Sequence, residues 1–357
     1  MSKVIVGMSG GVDSSVTAYL LKEQGYDVIG VTMQIWQKEE SNLIEDGDGC
    51  CGLSAVNDAR RVANKLNIPY YVLNFRQEFK EKVIDYFIEE YLKGATPNPC
   101  IACNRYVKWE SLLSKALTLG ADYIATGHYA KIVKHPTTGR YTLKMADTQA
   151  KDQTYALYNL TQYQLQHTIM PLGKYEKNQI RDIARDIGLL VADKPDSQDI
   201  CFVPDGNYGK FIKENTNAEI TKGNFVDLQG NILGQHQGIC NYTIGQRKGL
   251  GIALGKPAYV CKINTLNNQV VIGDNKDLFK TRVLIRDFNY MAYESITDGM
   301  RVMGKIRYSQ KQSPCTLYKK DELVECIFDQ PQRAVTPGQA AVFYDNEYVV
   351  GGGTIIE

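Results

Sequence analysis

The sequence contains no long apolar segment. None of its stretches reaches the roughly 18 to 20 consecutive apolar residues that a membrane-spanning helix needs. The N-terminus also lacks a basic region followed by an apolar run, because Met1-Ser2-Lys3 leads directly into an apolar strand. A secretory signal or a transit peptide is therefore not expected, and the sequence predicts a cytoplasmic protein without membrane association.

An excess of charge of either sign is also missing. The chain has 41 Lys and Arg against 40 Asp and Glu, so a polyanionic partner would have to bind a local basic patch. A chain of 357 residues is too long for one ordinary hydrophobic core, so we expect two or three domains. The nine cysteines, an odd number in a predicted cytoplasmic chain, favour thiol or metal chemistry over a disulfide scaffold.

Hydrophobic periodicity divides the chain into an α/β part and a β-rich part. Apolar runs and helical spacing predict strands at 4–8, 28–32, 70–75 and 121–126, and helices at 14–24, 56–66 and 79–92. Strands that alternate with helices indicate a doubly wound parallel sheet, which binds ligands at the carboxyl ends of its strands. Beyond residue 205, frequent glycine and short alternating runs predict antiparallel β structure in two small units.

The predicted fold class is therefore α/β, with a doubly wound parallel-sheet nucleotide-binding domain followed by two small β-rich domains. We place the catalytic domain at residues 1–205, a central β-rich domain at 206–280 and a C-terminal, barrel-like domain at 281–357.

The turn between the first strand and the first helix has the composition of a phosphate-binding loop. Gly10 and Gly11 allow a sharp turn and a close approach of backbone N–H groups, while serine hydroxyls and the helix N-terminus add donors and positive potential. Asp13 has the wrong charge for a phosphate contact and is expected to hold Mg²⁺. The turn lacks the lysine of a P-loop. The loop residues are Gly7, Met8, Ser9, Gly10, Gly11, Val12, Asp13 and Ser14.

The segment Ser9-Gly10-Gly11-Val12-Asp13-Ser14 resembles the pyrophosphate-binding loop of the ATP-pyrophosphatase superfamily. Members of that superfamily adenylate an oxygen of their substrate and release pyrophosphate. The resemblance implies ATP and Mg²⁺ as cofactors, but the loop alone does not distinguish the thiolases of tRNA from the amide-forming and amidine-forming ligases.

Later motifs make that distinction. The chain as a whole resembles the bacterial tRNA-specific 2-thiouridylases, and the match runs essentially from end to end. The motifs that carry it are Thr96-Pro97-Asn98-Pro99-Cys100-Ile101-Ala102-Cys103-Asn104, Ala125-Thr126-Gly127-His128-Tyr129-Ala130, Asp196-Ser197-Gln198-Asp199-Ile200-Cys201-Phe202 and Tyr242-Thr243-Ile244-Gly245-Gln246-Arg247-Lys248-Gly249-Leu250.

Two of the cysteines fit the chemistry that the resemblance implies. Sulfur transfer requires two thiols that reach one substrate atom, one to carry a persulfide and one to release its terminal sulfur. Cys103 and Cys201 both lie in motif-rich segments. By the resemblance, Cys201 is the persulfide carrier and Cys103 is the nucleophile or resolving thiol.

Cys100 departs from the common family pattern, which has an acid at this position. With Cys103 and Cys201 it makes a set of three thiolates, which could ligate a [4Fe–4S] cluster with one iron open. A zinc site of Cys50, Cys51, Cys100 and Cys103 is a further alternative, although two adjacent cysteines are poorly spaced for tetrahedral ligation. A persulfide relay without a metal is the interpretation that we favour, because Cys103 and Cys201 suffice for it.

The resemblance also implies nucleotide and RNA contacts. It assigns ATP contacts to Met33 and Gly127. The implied contacts with tRNA are Asn98, Pro99 and Cys100 at the target base, with His128, Lys151, Asp152, Gln153, Arg307, Tyr308 and Gln339 elsewhere.

The segment from Arg301 to Lys320 carries six basic residues and no acid. They are Arg301, Lys305, Arg307, Lys311, Lys319 and Lys320. This basic stripe, with Tyr308 available for stacking on a base or ribose, indicates a surface for nucleic acid. A solvated strand face is the alternative.

The hypothesis from the sequence is ATP-dependent 2-thiolation of the wobble uridine of tRNA. The uracil 2-oxygen is adenylated, pyrophosphate leaves, and sulfur from Cys201 replaces the oxygen. The predicted partners are the tRNA anticodon arm and, as the sulfur donor, a cysteine desulfurase or a sulfur-carrier protein. The alternatives are a ligase of the same superfamily, which would not need the cysteines, and a tRNA-binding protein without catalysis, which could lose the phosphate loop.

Overall fold

The structure is a computed structural model that describes residues 1–35, 53–195 and 200–357. Its first sheet has five parallel strands: β1 (Lys3–Gly7), β2 (Asp27–Gln34), β3 (Tyr70–Asn74), β4 (Tyr123–Ala125) and β7 (Thr168–Ile169). Their order is β3-β2-β1-β4-β7, and each neighbouring pair is parallel. This order brings the carboxyl ends of β1, β2 and β4 to one edge, where the ligand site of an open α/β sheet lies.

Helices cover the sheet and connect its strands. The α-helices are α1 (Val12–Glu23), α2 (Leu53–Lys65), α3 (Arg76–Phe79), α4 (Tyr86–Leu92), α5 (Pro99–Ala102), α6 (Leu113–Thr118), α7 (Gln162–Gln166), α8 (Lys177–Asp186) and α9 (Tyr208–Glu214). Two π-helical segments, Lys80–Asp85 and Cys103–Leu112, join α3 to α4 and α5 to α6. Short 3₁₀ turns occur at Gln149–Lys151, Thr154–Leu157, Pro171–Lys174, Ile239–Asn241 and Asn275–Leu278.

A small four-stranded sheet follows α9. Its strands are β8 (Gly223–Val226), β9 (Ile232–His236), β10 (Tyr259–Asn264) and β11 (Gln269–Gly273), in the order β10-β11-β8-β9. The prediction of purely antiparallel structure is wrong at one pair, because β8 and β11 run parallel. The long connection between β9 and β10 allows this reversal, which local alternation cannot reveal.

The third sheet has eight strands and closes on itself. It contains β12 (Phe279–Tyr290), β13 (Met300–Lys305), β14 (Ser313–Lys320), β15 (Leu323–Arg333), β16 (Ala340–Asp345) and β17 (Tyr348–Ile355). The hairpin β5 (Lys131–Lys134) and β6 (Tyr141–Lys144) extends it beside β17. Pairing of β12 with both β15 and β17 closes the barrel. The predicted fold class is therefore confirmed.

The barrel and the α/β part share one apolar core. A single cluster of buried side chains runs from Ile5 and Val31 of the first sheet to Val342 and Tyr344 of the barrel. Asn289 strengthens this junction, because its Nδ2 donates to the carbonyls of Tyr158 at 2.7 Å and Leu160 at 3.0 Å. The barrel is consequently packed against the first sheet. The domain boundaries at 205 and 280 stay a prediction.

Among residues 1–35, 53–195 and 200–357, we find no helix long and apolar enough to cross a membrane.

Candidate functional site

The loop between β1 and α1 lies at the carboxyl edge of the first sheet. Gly10 has a φ of +71°, and a Cβ atom there would lie 2.3 Å from the carbonyl oxygen of Ala55 in α2. Backbone conformation and close packing therefore both require glycine at this position. Gly11, which has no side chain, is the N-cap residue of α1. The N–H groups of the first helical turn are thus directed to where a phosphate would bind.

The serines of the loop hold its shape. Ser14 Oγ accepts from the N–H of Ser9 at 3.2 Å and donates to the carbonyl oxygen of Gly11 at 3.2 Å. Ser15 Oγ donates to the same carbonyl at 2.8 Å. Met8 and Val12 are buried, so what they can offer a ligand is backbone. The half-buried Met33 lies near the end of β2, in the sheet next to the loop.

Asp13 is held by two groups from distant parts of the chain. Lys177 Nζ donates to its Oδ1 at 2.9 Å and to its Oδ2 at 2.7 Å. The hydroxyl of Tyr129 donates to Oδ1 at 2.7 Å, and the Tyr129 ring is only 1% exposed. The carboxylate oxygens that we expected to hold Mg²⁺ therefore accept hydrogen bonds from a lysine. A metal ion at Asp13 would have to share or replace that lysine.

Gly127 packs directly on this loop. A Cβ atom at Gly127 would lie 2.7 Å from the backbone N of Ser14 and 2.8 Å from the carbonyl carbon of Asp13. Any side chain would therefore displace the start of α1. The sequence predicted an ATP contact here, and the structure adds that Gly127 is needed for the loop itself.

The three motif-bearing cysteines lie in the same part of the fold. Cys103 and Cys201 are half-buried and pack against the same apolar cluster, and Cys100 is exposed. Phe202 anchors the segment of Cys201, because its ring makes edge-on contacts with Phe79 at 5.8 Å and Phe87 at 5.3 Å between centroids. These contacts bring Cys201 to the helices that precede Cys103.

A cluster or metal site is not formed by these side chains. Within residues 1–35, 53–195 and 200–357, no group of three or more His, Cys, Asp or Glu side chains is arranged to hold a metal ion. Cys100, Cys103 and Cys201 lie in this part of the chain and do not fit a [4Fe–4S] cluster in this arrangement. Cys50 and Cys51 of the zinc alternative lie outside the described residues.

Asn98 and Pro99 start the short helix that leads to the cysteines. Asn98 Oδ1 accepts from the N–H groups of Cys100 at 3.1 Å and Ile101 at 3.3 Å, and Pro99 occupies the first helical position. This is a side-chain N-cap followed by proline, which fixes the direction of α5. Gln339 supports the same segment from the barrel, because its Nε2 donates to the carbonyl of Thr96 at 2.7 Å.

His128 is held in its neutral form. Its burial, together with the positive charge of Lys108, keeps the pKa of the imidazole well below its ordinary range. Its Nδ1 lies 2.8 Å from the hydroxyl of Thr126, and its ring is 5.6 Å from that of Trp109. The lowered pKa, which follows from burial and from Lys108, makes the neutral form of His128 the one expected at physiological pH.

The segment 151–153 connects the loop region to the barrel. Gln153 and Tyr129 exchange two hydrogen bonds, from Tyr129 N to Gln153 Oε1 at 2.9 Å and from Gln153 N to Tyr129 O at 3.0 Å. Asp152 is buried and accepts from the hydroxyl of Thr154 at 2.6 Å, and its burial raises the pKa of the carboxyl. Lys151, half-buried, ends the turn before them.

Tyr308 of the barrel faces the cysteine-bearing helix. Partial burial raises the pKa of its hydroxyl, and the neighbouring Asp152 and Cys100 side chains raise that pKa further. Lys305 lies over the Tyr308 ring at 5.9 Å, and the Tyr308 side chain remains 46% exposed. Cys100, Lys305 and Tyr308 thus lie near one another where α5 meets the barrel, close to the buried Asp152.

The predicted basic stripe is interrupted in the structure. Arg301 makes a bidentate pair with Asp329 at 2.7 and 2.6 Å, and Lys320 lies 3.6 Å from Glu325. Both acids come from β15, the strand beside β14, so the acid-free sequence of 301–320 does not make an acid-free surface. Arg307 Nη2 donates to the carbonyls of Arg333 and Ala334. Lys311 and Lys319 are exposed.

The comparisons with known proteins decide the family. A tRNA-specific 2-thiouridylase from Lachnoclostridium phytofermentans is 65% identical over 100% of both chains. Proteins of the same name from Clostridioides difficile (58% identical, 99% of this chain and 98% of that one) and Acetivibrio thermocellus (60%, 99% of each) are also similar. The chain belongs to the tRNA-specific 2-thiouridylase family.

Family profiles agree with this membership. Residues 2–205 match a profile described as a tRNA methyl transferase HUP domain. Residues 209–274 match a tRNA methyl transferase PRC-barrel domain, and residues 280–355 match an aminomethyltransferase β-barrel domain.

Reasoning from the sequence missed two residues at the phosphate loop of this 2-thiouridylase. Lys177 begins an amphipathic helix, and Tyr129 follows a motif histidine, so neither has a local pattern that points to Asp13. Only the packing of α8 and of the 126–129 segment against α1 brings them there. The lysine that contacts the Asp13 carboxylate thus comes from α8 and not from the loop.

Two adjacent glycines provide a matched test of the loop geometry. Gly10→Ala places a Cβ in a left-handed conformation and against Ala55, so it should lower the free energy of unfolding by about 1–3 kcal/mol or more. Gly11→Ala should stay within about 0.5 kcal/mol, because Gly11 has a φ of −97° and its added Cβ would meet only Ser9 Oγ, at 3.6 Å. Urea titration of both variants measures the difference. Equal stabilities would contradict this account of Gly10.

Because the pKa of His128 is lowered in the folded protein, we expect the free energy of unfolding to decrease in acid. Its folded pKa lies below the unfolded value of about 6.5, so the unfolded chain binds the proton first as the pH falls. Stability should therefore decrease below pH ~6.5, until the folded pKa is reached. The variant His128→Asn should lose less stability than the unmodified protein when urea unfolding is compared at pH ~7.5 and ~5.5. The same loss in both proteins would show that His128 does not contribute.

Proposed function

We propose that this 2-thiouridylase converts a uridine of tRNA to 2-thiouridine, with ATP as the activating substrate. The observation that carries the proposal is the whole-length similarity to proteins of that name, at 65% identity for one of them. The geometry supports it, since the phosphate loop lies at the carboxyl edge of the first sheet and two half-buried thiols pack on the apolar core that continues from this sheet into the barrel. We place the target at the wobble uridine, in the anticodon arm.

The uridine must leave its base stack to react, because a stacked base hides its carbonyl. We place the extruded base beside Cys100 and Tyr308, where Asn98 and Pro99 fix the helix that carries Cys100. Lys305, next to Tyr308, provides positive charge for the adjacent phosphates. By the family resemblance, Lys151, Gln153, Arg307 and Gln339 contact the tRNA around this base.

Activation takes place at the phosphate loop. The uracil 2-oxygen attacks the α-phosphate of ATP, the bond to the pyrophosphate breaks, and an adenylated uridine results. Backbone N–H groups at the start of α1 stabilise the departing pyrophosphate. Asp13 is the carboxylate that would hold Mg²⁺, whose charge neutralises the phosphates when it is bound.

Sulfur transfer follows at the two half-buried thiols. The terminal sulfur of a persulfide on Cys201 attacks carbon 2 of the uracil, and AMP leaves. The thiolate of Cys103 then attacks the inner sulfur, Sγ of Cys201, which releases the thiocarbonyl and forms a Cys103–Cys201 disulfide. A thiol reductant must supply two electrons to reopen that disulfide. A cysteine desulfurase or a sulfur-carrier protein supplies the next persulfide sulfur.

The decisive variant is Cys201→Ser. Activation and sulfur delivery are separate steps, so this variant should still release pyrophosphate with tRNA and ATP but should yield no thiolated tRNA. The measurements are pyrophosphate release and retardation of thiolated tRNA in a mercury-containing gel, with a persulfide donor present. Asp13→Ala is the matched control, because it should lose pyrophosphate release as well. Thiolated tRNA from Cys201→Ser at the normal rate would remove Cys201 from this role.

Cys100→Ser distinguishes the relay from a cluster. In the relay Cys100 borders the target base without exchanging sulfur, so its loss should reduce thiolation by about tenfold or less. Colour, iron and sulfide are measured on anaerobically purified protein, together with the thiolation rate. Brown, iron-loaded protein that becomes colourless and inactive as Cys100→Ser would overturn the relay in favour of a cluster with Cys100, Cys103 and Cys201 as ligands.

A further inference from the structure

The ion pair between Lys177 and Asp13 is partly shielded from solvent. The side chain of Lys177 is 13% exposed and that of Asp13 is 29% exposed. Charges this close interact more strongly at a shielded site than on an open surface. The pair therefore determines what else can approach the carboxylate of Asp13.

The backbone of Lys177 is fixed by its helix. Lys177 is the first residue of α8, and Glu176 before it forms a capping box with Gln179, whose Oε1 accepts from Glu176 N at 2.8 Å. The long side chain can turn while this first helical turn stays in place. A lysine is suited to such a movement, because its ammonium is a compact charge on a flexible stem.

Asp13 is also held by a group other than the lysine. The buried Tyr129 donates its hydroxyl to Oδ1, and Tyr129 is tied to Gln153 by two backbone-directed hydrogen bonds. The Asp13 side chain belongs to the first turn of α1, whose N–H groups face the phosphate site. The ammonium of Lys177, bonded to the Asp13 carboxylate, consequently lies close to that site.

The two members of the ion pair are complementary in charge to the two components of magnesium pyrophosphate. A carboxylate is a preferred ligand of Mg²⁺, and an ammonium is a standard partner of phosphate. The phosphate loop carries no lysine of its own between Gly7 and Ser15. Separation of the pair would therefore provide the loop with both a metal ligand and a cation.

We propose that Lys177 forms an ion pair with Asp13 in the enzyme without ligands. When a divalent cation binds Asp13, the Lys177 side chain turns to the pyrophosphate portion of ATP. Lys177 thus blocks metal binding in the absence of nucleotide and contacts the phosphates in its presence. The proposal deepens the function proposed above and rests on it only for the identity of ATP as the substrate.

The variant Lys177→Met tests the effect of Lys177 on metal binding separately from its effect on phosphate binding. Without the ammonium, Asp13 should bind Mn²⁺ alone about tenfold more tightly, because the competing charge is gone. Inorganic pyrophosphate alone should bind about tenfold more weakly, because a phosphate contact is lost. Mn²⁺ binding is followed by electron paramagnetic resonance and pyrophosphate binding by calorimetry, both on the full chain. A role that is only structural would weaken both ligands together.

Three further variants test the loss of a nearby charge, a conservative substitution and the loss of a hydrogen bond. Lys174→Met removes an equal charge from an exposed lysine that packs on Tyr175, and it should leave both affinities within about twofold. Lys177→Arg should restore pyrophosphate binding in part, since a guanidinium also binds phosphate. Tyr129→Phe removes a hydrogen bond to Asp13 but no charge, so it should change Mn²⁺ affinity less than Lys177→Met does.

Unchanged or weaker Mn²⁺ binding by Lys177→Met, or unchanged pyrophosphate binding, would overturn the proposal. Lys177→Gln serves as a second neutral variant if Lys177→Met does not fold. These measurements need neither tRNA nor sulfur, so they are separate from the test of the proposed function. If no thiolated tRNA forms although both affinities shift as expected, the assignment of the reaction fails and the role of Lys177 stands.

Discussion

The hydrogen-bonded carboxylate of Asp13 is the contact on which the arrangement of the site depends. It joins the first turn of α1 to Lys177 of α8 and to Tyr129, which are far apart in the chain. Gly127 lies against the same turn with no space for a side chain. A displacement of any of these segments would move the N–H groups that face the phosphate site, so the loop has its geometry only within the assembled sheet.

The second constraint is the contact between the barrel and the first sheet. Thr96 is held by Pro337 and Gln339 of the barrel, and its segment leads directly to α5 and Cys103. Tyr308 comes from the barrel and faces Cys100. The place that we assign to the extruded base is therefore bordered by residues from both parts. Because one apolar core runs through both parts, packing holds these residues in position relative to one another.

Much of the fold could be read from local pattern. Alternating strands and helices predicted the parallel sheet, and the glycine-rich turn predicted the phosphate loop, because both depend on neighbouring residues. The addition of the 131–144 hairpin to β17 of the barrel and the parallel pairing of β8 with β11 could not be read in this way. Each depends on a strand that is distant in sequence. The acids that interrupt the basic stripe were missed for the same reason, since Asp329 and Glu325 lie on a neighbouring strand.

The sequence by itself identified the family, which the comparisons confirm, and it predicted the two thiols and the phosphate loop. These features lie in contiguous motifs, in which residue type and spacing indicate the chemistry. Only the tertiary structure decided that Asp13 is paired with Lys177, that His128 is neutral and that Asp152 is buried. Each of these depends on burial and on charges brought together by packing, and a linear pattern contains neither the distance nor the solvent exposure that sets them.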